Sequence, residues 1–219
     1  MREAMKKNWK GMLIAAAVIL LPMVVGVVLW DRLPDPMATH WDFAGNANGW
    51  TSRAFTVFGI PLVLLALHMV CLLVTESGVN SCGQNPKLKR IMYGVVPVVS
   101  LLLCVTIYPS ALGMKLPMQT MALLFLGVML LIVGNYMPKC TMNIWMGIRV
   151  PWTYSSEANW HATHRFAGRV YVVTGLACLC CAFIPSAKLG NALVIIILAS
   201  CMAPVLYSYI YHRRHGEKE

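Results

Sequence analysis

The sequence predicts an all-α, polytopic membrane protein with six transmembrane helices and both termini in the cytoplasm. Of the 219 residues, 58% are hydrophobic and only 12% are charged, and the mean hydropathy is +0.66. A soluble domain of this length needs more polar surface than that composition supplies. Most of the chain is therefore expected to face lipid.

Six apolar runs that lack Asp, Glu, Lys and Arg are the predicted spans. Each approaches the roughly 20 residues that an α-helix needs to cross about 30 Å of hydrocarbon. None shows strand-like alternation, which disfavours a transmembrane β-barrel. In chain order the runs are Gly11 to Trp30, Ala54 to Thr75, Ile91 to Met114, Leu116 to Pro138, Val170 to Ala187 and Leu189 to Tyr211.

The distribution of positive charge predicts the orientation. The first run follows a basic start but ends at VLWDRLPD without a small-residue cleavage site, so we interpret it as an uncleaved span. With the N-terminus inside, 14 of the 18 basic residues lie in cytoplasmic segments, and only Arg32, Arg53, Lys115 and Lys188 lie outside. Cytoplasmic loops retain Lys and Arg, so the net charge of +10 reflects topology and contact with anionic membrane lipids, with no direct nucleic-acid binding expected.

Proline and small residues predict how the spans pack. A proline removes a backbone donor and bends a helix, and the bends either shape the bundle or enclose a cavity. Such prolines occur at Pro22, Pro61, Pro97 and Pro204. Gly168, Gly175 and Ala182 recur every seven residues, which predicts a close helix contact within the chain or between chains.

The histidine and cysteine residues inside the predicted spans are expected to have structural roles. His68 lies well inside the second span, where an ionisable group is a candidate for function. We expect it to be a neutral imidazole bonded to a nearby carbonyl. The eight cysteines indicate no disulfide framework, because none falls in an outer loop; Cys82 and Cys140 fall in inner loops. Cys178, Cys180 and Cys181 share one helix and do not converge on a metal.

The outer loop, from Asp31 to Arg53, is rich in turn formers and aromatic residues. Its prolines and Gly-Asn steps predict a compact loop, and its tryptophans suit the membrane–water interface. An EF-hand is excluded because Ala44 and Phe55 occupy the first and twelfth ligand positions, and no nucleophile motif accompanies the loop's His and Asp residues. An architectural cap and a catalytic role stay open beside the predicted ligand-binding surface, which comprises His40, Trp41, Asp42, Gly45, Asn48 and Trp50.

The inner loop, from Lys139 to Arg169, predicts a helix start and an anchored turn. Ser155 or Ser156 followed by Glu157 is typical of a capped helix, which we expect to continue into the fifth span. On that helix Glu157, His161 and His164 lie on one face, and with Cys140 they are geometrically able to bind a metal. A hydrogen-bonded helix face is the expected arrangement, with no metal or cofactor.

The GIRVPWT stretch, from Gly147 to Thr153, has the residues of an anchored turn. Gly147 tolerates unusual backbone angles and Pro151 adds rigidity. Arg149 can bond carbonyls or a lipid phosphate, and Trp152 suits the headgroup level.

The inner stretches GNYMPK (134–139) and NIWMGIRVPWTYSSEANWHATHRFAG (143–168) resemble the signature of the SdpI family of bacterial integral-membrane proteins. Val150 stands where that family commonly has threonine. The outer loop resembles a small module of unknown function that often precedes the SdpI domain, through Leu33, Pro34, His40, Trp41, Gly45 and Trp50. The signature positions include Asn135, Asn143, Gly147, Arg149, Pro151, Trp152, Thr153, Trp160, His164 and Arg165.

The resemblance implies two domains and an immunity function. The domains are a two-helix module at residues 1–75, with its structured loop at 31–53, and a four-helix SdpI-like domain at 76–219, with its signature loop at 134–169. The family protects its host from a secreted antimicrobial peptide toxin, and its namesake also recruits a cytoplasmic transcriptional repressor. The outer loop would contact the toxin and the inner loop the repressor, without enzymatic activity. From the residues alone, a small-molecule or lipid transporter, a membrane enzyme and an architectural subunit stay open.

Overall fold

The computed structural model describes residues 2–42, 44–76, 86–143, 147–184 and 186–215. The chain divides into two compact units, Met1–Met118 and Gln119–Glu219. Each unit is built around three long helices. Cys82 lies outside the described residues, so its predicted position is not addressed by the structure.

The first unit consists of three long helices that all pack on one another, together with a short β-hairpin. The hairpin lies in the connection between the first two helices. Its elements in chain order are α1 (Arg2–Val28), a 3-10 turn (Trp30–Arg32), β1 (Met37–Trp41), β2 (Ala47–Thr51), a π-helical turn (Phe55–Gly59), α2 (Ile60–Glu76) and α3 (Pro86–Ala111).

The hairpin is the main feature of this unit that the sequence prediction lacked. β1 and β2 pair antiparallel, with Met37 opposite Thr51 and Ala38 opposite Trp50. Met37 is fully buried whereas His40 is exposed, so the strand turns one face to the unit's core. The prediction of a compact loop is consistent with this hairpin. The all-α description holds for the helices and omits the two strands.

A buried cluster beneath the hairpin joins it to all three helices of the unit. The cluster comprises Leu33, Met37, Val57, Ile107 and Tyr108, with Trp41 packed against it. Burial of such side chains contributes roughly 1.5–3 kcal/mol each when they come from water. The hairpin is therefore held to the helices by packing as well as by the chain connection.

The predicted helix prolines have different local settings. Pro22 and Pro97 lie inside α1 and α3, and Pro204 lies inside the helix Ala187–His215 of the second unit. Pro61 is the second residue of α2, directly after the π-helical turn, so it marks the change of helix type at that point. The Tyr108 hydroxyl donates to the Pro22 carbonyl at 2.7 Å, which joins α3 to α1 at this proline.

The second unit consists of three long helices, and the connection between the first two of them carries part of the inner signature. Its elements are α4 (Met118–Tyr136), a 3-10 turn (Met137–Lys139), α5 (Pro151–Tyr154), α6 (Glu157–Cys181) and α7 (Ala187–His215). The predicted continuation of the helix from Glu157 into the next apolar run is confirmed. Its C-terminal end is earlier than predicted, because Ala182 and Phe183 form a turn.

Small residues bring α4 and α6 together in an antiparallel pair. A Cβ atom added to Gly168 would lie 2.7 Å from the Gly134 carbonyl oxygen, and one added to Gly175 would lie 2.8 Å from the Gly127 carbonyl oxygen. Near the other end of the pair, the Thr120 hydroxyl donates to the Ala182 carbonyl at 2.8 Å. The predicted seam of Gly168, Gly175 and Ala182 is thus confirmed as a contact within the chain.

Five helices among the described residues are long and apolar enough to cross a membrane. They are Asn8–Val28, Phe55–Leu73, Ile91–Ala111, Met118–Lys139 and Lys188–His215. α6 is not among them, because its first half is polar and carries Glu157, Arg165 and Arg169. The predicted run of Val170 to Ala187 corresponds only to the second half of α6 and the turn after it.

The compact units divide the chain at a different place from the domains implied by the family resemblance. α3 packs on α1 and α2, so the first unit extends to residue 118, beyond the two-helix module predicted at residues 1–75. The predicted domain boundary concerns sequence modules and stays a prediction.

The glycine contacts predict opposite effects for two substitutions. Gly168→Ala should destabilise the protein by about 1–3 kcal/mol, because backbone atoms of α4 occupy the space of the new methyl group. Gly94→Ala is the matched control: no atom lies within 4 Å of its added Cβ, and alanine is favoured over glycine in a helix by roughly 0.5–1 kcal/mol. Thermal unfolding in detergent measures both. Equal melting temperatures for the two variants would contradict the close contact.

Candidate functional site

The first candidate surface is the outer hairpin, residues 33–53, which Arg53 fastens at its base. The Arg53 backbone N–H donates to Asp35 Oδ1 at 3.1 Å. Its Nη1 donates to the carbonyls of Trp30 at 3.0 Å and Leu33 at 3.1 Å. The guanidinium carbon also lies 4.5 Å from the centre of the Trp30 ring, in a cation–π contact. Arg53, at the end of the loop, is therefore bonded to residues at the beginning of the loop.

Asp42 and Gly45 build the turn of the hairpin. Asp42 Oδ1 accepts the backbone N–H groups of Ala44 and Asn46, each at 2.9 Å. The Asn46 backbone N–H, foremost, holds the pKa of the Asp42 carboxyl below its usual value. Gly45 has φ +86°, a backbone angle that glycine adopts without strain. Both predicted site residues therefore stabilise the turn of the hairpin.

Three of the predicted site residues lie on the exposed face of the hairpin. His40, Asn48 and Trp50 are all exposed, and Trp50 exposes 56% of its surface. His40 Nδ1 and Asn48 Oδ1 are 2.5 Å apart and form a hydrogen bond that fixes both side chains. Trp41 instead packs on the buried cluster. Of the six predicted residues, His40, Asn48 and Trp50 therefore form the exposed face, and Trp41, Asp42 and Gly45 support it.

The second candidate surface is the inner motif, the described residues of 134–169 in the second unit. α6 begins at the predicted cap: Ser156 is extended, and its Oγ accepts the Asn159 backbone N–H at 3.2 Å. Asn159, Trp160, Thr163 and His164, on the first two turns of α6, are each at most 1% exposed. The polar beginning of α6 is thus a buried face that the connection folds against.

His164 joins the connection to α6. Its Nε2 accepts the Ile148 backbone N–H at 3.0 Å, and its Nδ1 lies 2.7 Å from the Trp160 carbonyl. The histidine ring stacks on the Trp160 ring with centroids 4.1 Å apart. Gly147 has φ +114°, and a Cβ there would lie within contact of both rings. These contacts require glycine at position 147 and a neutral imidazole protonated on Nδ1.

Burial determines the protonation behaviour of His164. The loss of hydration, foremost, lowers the pKa of His164, and the nearby His161 lowers it as well. The hydrogen bond to the Trp160 carbonyl acts in the opposite direction and only partly offsets the burial. The neutral form is therefore the one that the inner motif stabilises.

Thr153 ties the GIRVPWT turn to itself. Its Oγ1 donates to the Ile148 carbonyl at 2.9 Å and accepts the Val150 backbone N–H at 3.1 Å. Val150 is the N-cap of the short helix α5 and makes no side-chain cap bond. Thr153 therefore satisfies the backbone N–H of the N-cap residue, whereas valine at position 150 offers no hydroxyl to the first turn of α5.

Trp152 and Asn159 connect the motif to α7 through Ser208. Trp152 Nε1 donates to Ser208 Oγ at 2.7 Å, and Asn159 Nδ2 donates to the carbonyls of Ser208 and Trp152 at 3.1 Å each. Thr163 Oγ1 donates to Asn159 Oδ1 at 2.9 Å. Sequence reasoning missed Ser208 and Asn159. The available signal for Ser208 was a small polar residue inside the tyrosine-rich PVLYSYIY run.

Asn143 and Trp160 hold the start of the connection. Trp160 Nε1 donates to the Cys140 carbonyl at 2.8 Å. Asn143 Nδ2 donates to the Thr141 carbonyl at 2.8 Å, and the Asn143 carbonyl accepts the Tyr154 hydroxyl at 3.2 Å. Asn143 and Trp160 are both buried. These predicted signature residues are brought together in one network.

Five predicted signature residues are exposed: Asn135, Gly147, Arg149, Pro151 and Arg165. The inner motif therefore has a rigid, buried interior and a surface that presents two cationic side chains. Arginine is suited to bidentate contact with carboxylate or phosphate groups.

The helix face of Glu157, His161 and His164 does not form a metal site among the described residues. His161 Nε2 and Glu157 Oε1 are 3.7 Å apart, whereas both ring nitrogens of His164 are used by backbone groups. Within the part of the chain that the structure describes, no three His, Cys, Asp or Glu residues are grouped to hold a metal ion.

The fold and the two surfaces define a class: a helical, multi-pass membrane protein with a structured segment in each of its two units. Residues 139–208 match the SdpI/YfhL protein family, and residues 17–65 match a domain of unknown function, DUF1648. The chain is 26% identical over 211 residues to "Immunity protein SdpI" of Bacillus subtilis (strain 168), covering 96% of this chain and 98% of that protein. No solved structure matches it.

The chain is thus similar to the SdpI/YfhL family in its C-terminal part and to the DUF1648 module in its N-terminal part, in the regions whose motifs predicted these resemblances. It is a multi-pass protein of the bacterial plasma membrane. Both structured segments fall at least partly within the matched regions: the DUF1648 match contains the outer hairpin, and the SdpI match contains the GIRVPWT turn with the start of α6.

The burial of His164 predicts a pH dependence of the inner motif. A histidine in the unfolded chain has a pKa of about 6.5, and the pKa of His164 in the folded protein is lower. Below about pH 6.5 the unfolded state therefore binds more protons than the folded state does. The contribution of neutral His164 to folded-state stability is fully present above about pH 6.5. It is lost as the pH falls towards the lowered pKa of this residue. The protection factor of the Ile148 amide, which is its intrinsic exchange rate divided by its measured rate, should fall between pH 7.5 and pH 5.5, roughly the window around that value. In His164→Asn this fall should vanish; its persistence would assign the effect elsewhere.

Proposed function

We propose that this protein confers immunity against a secreted peptide toxin by a binding mechanism without catalysis. The observation that carries this proposal is the match to "Immunity protein SdpI" along 96% of the chain. The match includes both structured segments and is not confined to the apolar helices, whose composition many membrane proteins share. The SdpI family is not known as enzymatic, which agrees with a binding role.

The exposed face of the outer hairpin is the proposed toxin-binding surface. It combines one large aromatic side chain, Trp50, with the hydrogen-bonded pair of His40 and Asn48. Aromatic residues on a rigid support are frequent anchors in protein interfaces, since little conformational entropy is lost on binding. Asp42, Gly45 and Trp41 act indirectly by supporting this face.

The exposed arginines of the inner motif are the proposed docking surface for a cytoplasmic transcriptional repressor. Arg149 lies on the turn that Thr153 and His164 fix in place, and Arg165 lies on α6. A repressor with an acidic or otherwise complementary patch would meet two cations on a rigid support. The same cations suit anionic membrane lipids in the absence of that partner.

Six transmembrane helices with both termini in the cytoplasm remain our proposed topology. α6 does not have the composition of an independent span. It nevertheless packs beside α4 along the stretch of α4 from Gly134 to Thr120. α4 is itself a candidate span. A helix that runs antiparallel beside a span for about 20 Å, at 1.5 Å per residue, crosses much of the same membrane thickness. The polar first half of α6 would then project on the cytoplasmic side.

Two substitutions should separate protection from repressor docking. Trp50→Ala should lower protection with normal repressor recruitment, because truncating an aromatic anchor commonly costs about 2 kcal/mol, roughly thirtyfold in affinity. Arg149→Glu should abolish recruitment with normal protection, because it reverses the charge of an exposed side chain. Survival under graded toxin and membrane localisation of a labelled repressor measure the two activities.

Matched controls are available for both substitutions. Trp9→Ala removes a tryptophan of similar exposure, 53%, from the N-terminal part of α1, and Arg213→Glu reverses an exposed charge near the end of α7. Both should retain protection and recruitment at normal abundance. Full protection by abundant Trp50→Ala protein would remove the hairpin face from the toxin site and favour a cavity between helices, as a transporter would use.

The topology is tested with single cysteines in a variant that lacks the native ones. Cysteines at Lys115 and Lys188 should both react with an impermeant maleimide added to intact cells, whereas one at Lys139 should react only after permeabilisation. All three positions are exposed in the structure. If α6 does not cross, Lys188→Cys will be protected from outside while Lys115→Cys still reacts.

A further inference from the structure

The exposed side chains of α6 beyond its first turn form one stripe that changes from cationic to apolar along the helix. They are separated by three or four residues, so they lie above one another on one helical face. In chain order they are Arg165, Arg169, Val173, Leu176 and Cys180. Val173 exposes 67% of its surface and Leu176 exposes 50%. The exposed face of α6 therefore has a cationic end and a largely aliphatic end.

The packing of α6 on α4 places the aliphatic end at the level of the hydrocarbon. α4 is part of the candidate span Met118–Lys139. Gly175 of α6 lies against Gly127, which is near the middle of that span. Val173 and Leu176 flank Gly175 in the sequence but are exposed on another side of α6. Their side chains are therefore in a position to contact lipid acyl chains.

The same packing places the cationic end near the level of the lipid headgroups. Gly168 of α6 lies against Gly134 and Pro138, close to the end of the span that α4 forms. Arg169 directly follows Gly168, and Arg165 lies one helical turn before Arg169. Long cationic side chains at the end of an apolar surface extend their charge to the headgroup region.

These exposed arginines contrast with polar side chains that are buried inside the candidate spans. Ser100 and Ser200 are at most 5% exposed, and each hydroxyl donates to a backbone carbonyl. His68 is 0% exposed, and neither of its ring nitrogens has a hydrogen-bond partner among the described residues. The expected bond from His68 to a carbonyl is therefore wrong. Burial withdraws all three of these side chains from lipid.

The second unit has almost no negative charge to pair with the arginines of α6. Glu157 is the only Asp or Glu between Glu76 and Glu217 in the sequence. Its Oε1 lies 3.7 Å from His161 Nε2, and it precedes Arg165 by about 12 Å along the helix at 1.5 Å per residue. Like charges one turn apart on a helix repel each other. An anion from outside the chain would offset that repulsion.

A phospholipid with a net negative charge fits both ends of the stripe. Side chains four residues apart on a helix are neighbours, so Arg165 and Arg169 can bind the same phosphate group. A guanidinium group donates two parallel hydrogen bonds to phosphate oxygens. The acyl chain of the same molecule then lies along Val173 and Leu176. A zwitterionic headgroup fits less well, because its own cation is repelled by the arginines.

We propose that α6 binds an anionic phospholipid, with the phosphate on Arg165 and Arg169 and an acyl chain along Val173 and Leu176. Basic sites at transmembrane helices on the cytoplasmic side are known to suit anionic headgroups. The site does not rest on the proposed immunity function. It shares Arg165 with the proposed repressor surface, so Arg169, which lies outside that surface, is the residue to test.

Photo-crosslinking of the full chain in bilayers tests the proposal. The bilayer is mainly phosphatidylcholine with a small fraction of phosphatidylglycerol, and one of the two lipids carries a diazirine on its acyl chain. At equal probe content and with identical chains, the phosphatidylglycerol probe should label residues 173–180 several-fold more than the phosphatidylcholine probe. Equal labelling by both probes would show unselective contact with surrounding lipid and would overturn the proposal.

Two substitutions with the same change of charge separate the site from overall electrostatics. Arg169→Gln should lower the excess labelling by phosphatidylglycerol to about the phosphatidylcholine level, with an unchanged melting temperature because Arg169 is exposed. Arg32→Gln removes an exposed arginine from the first unit and should keep the full excess. An equal loss in both variants, or full excess in Arg169→Gln, would contradict the site.

A competition experiment distinguishes a bound lipid from a bound free phosphate. Inorganic phosphate should leave the excess labelling as high as sodium chloride of the same ionic strength does, because it lacks the acyl chain that contacts Val173 and Leu176. If inorganic phosphate alone removes the excess, the arginines hold a free anion, and the lipid assignment is wrong.

Discussion

Backbone hydrogen bonding where the chain leaves the helices is the constraint on which the rest of this structure depends. A helix satisfies its own backbone, whereas the buried backbone groups of a connection of about 20 residues need partners from paired strands or from side chains. In the outer hairpin Asp42 and Arg53 bond the backbone, and in the inner motif Thr153, His164 and Trp160 do so. Each connection is therefore ordered by its own side chains, and its shape follows from the sequence of those residues.

This constraint separates the residues that build a recognition surface from those that can touch a partner. A side chain that already bonds two backbone groups, such as Asp42 or Thr153, has little left to offer a ligand. Trp50 is exposed beside such residues. Substituting a residue whose side chain bonds the backbone, such as Asp42 or Thr153, would disturb the whole segment and so weaken all of its functions together. Substituting an exposed neighbour would remove one contact, which is why only the exposed residues can assign a function to a surface.

The sequence predicted the helices well because hydrophobic length and proline or serine positions are local signals, as at Ser156, the observed cap of α6. It predicted the seam at Gly168 for the same reason. The hairpin was missed because its alternation covers only five residues per strand. The family motif named most of the inner network, yet not its partner Ser208, because that contact joins positions 56 residues apart. His68 was misjudged because a carbonyl acceptor depends on tertiary packing, which a single sequence does not contain.

The rigidity of both connections limits how a toxin signal could cross the protein. The hairpin packs on the cluster that joins α1, α2 and α3, and the inner motif is continuous with α6 through Trp160 and His164. A rearrangement confined to either connection would break several buried hydrogen bonds, at about 1 kcal/mol or more for each. Small movements of whole helices conserve those bonds. If toxin binding outside changes repressor docking inside, shifts of helices that carry the two segments as rigid attachments are therefore the lower-energy route.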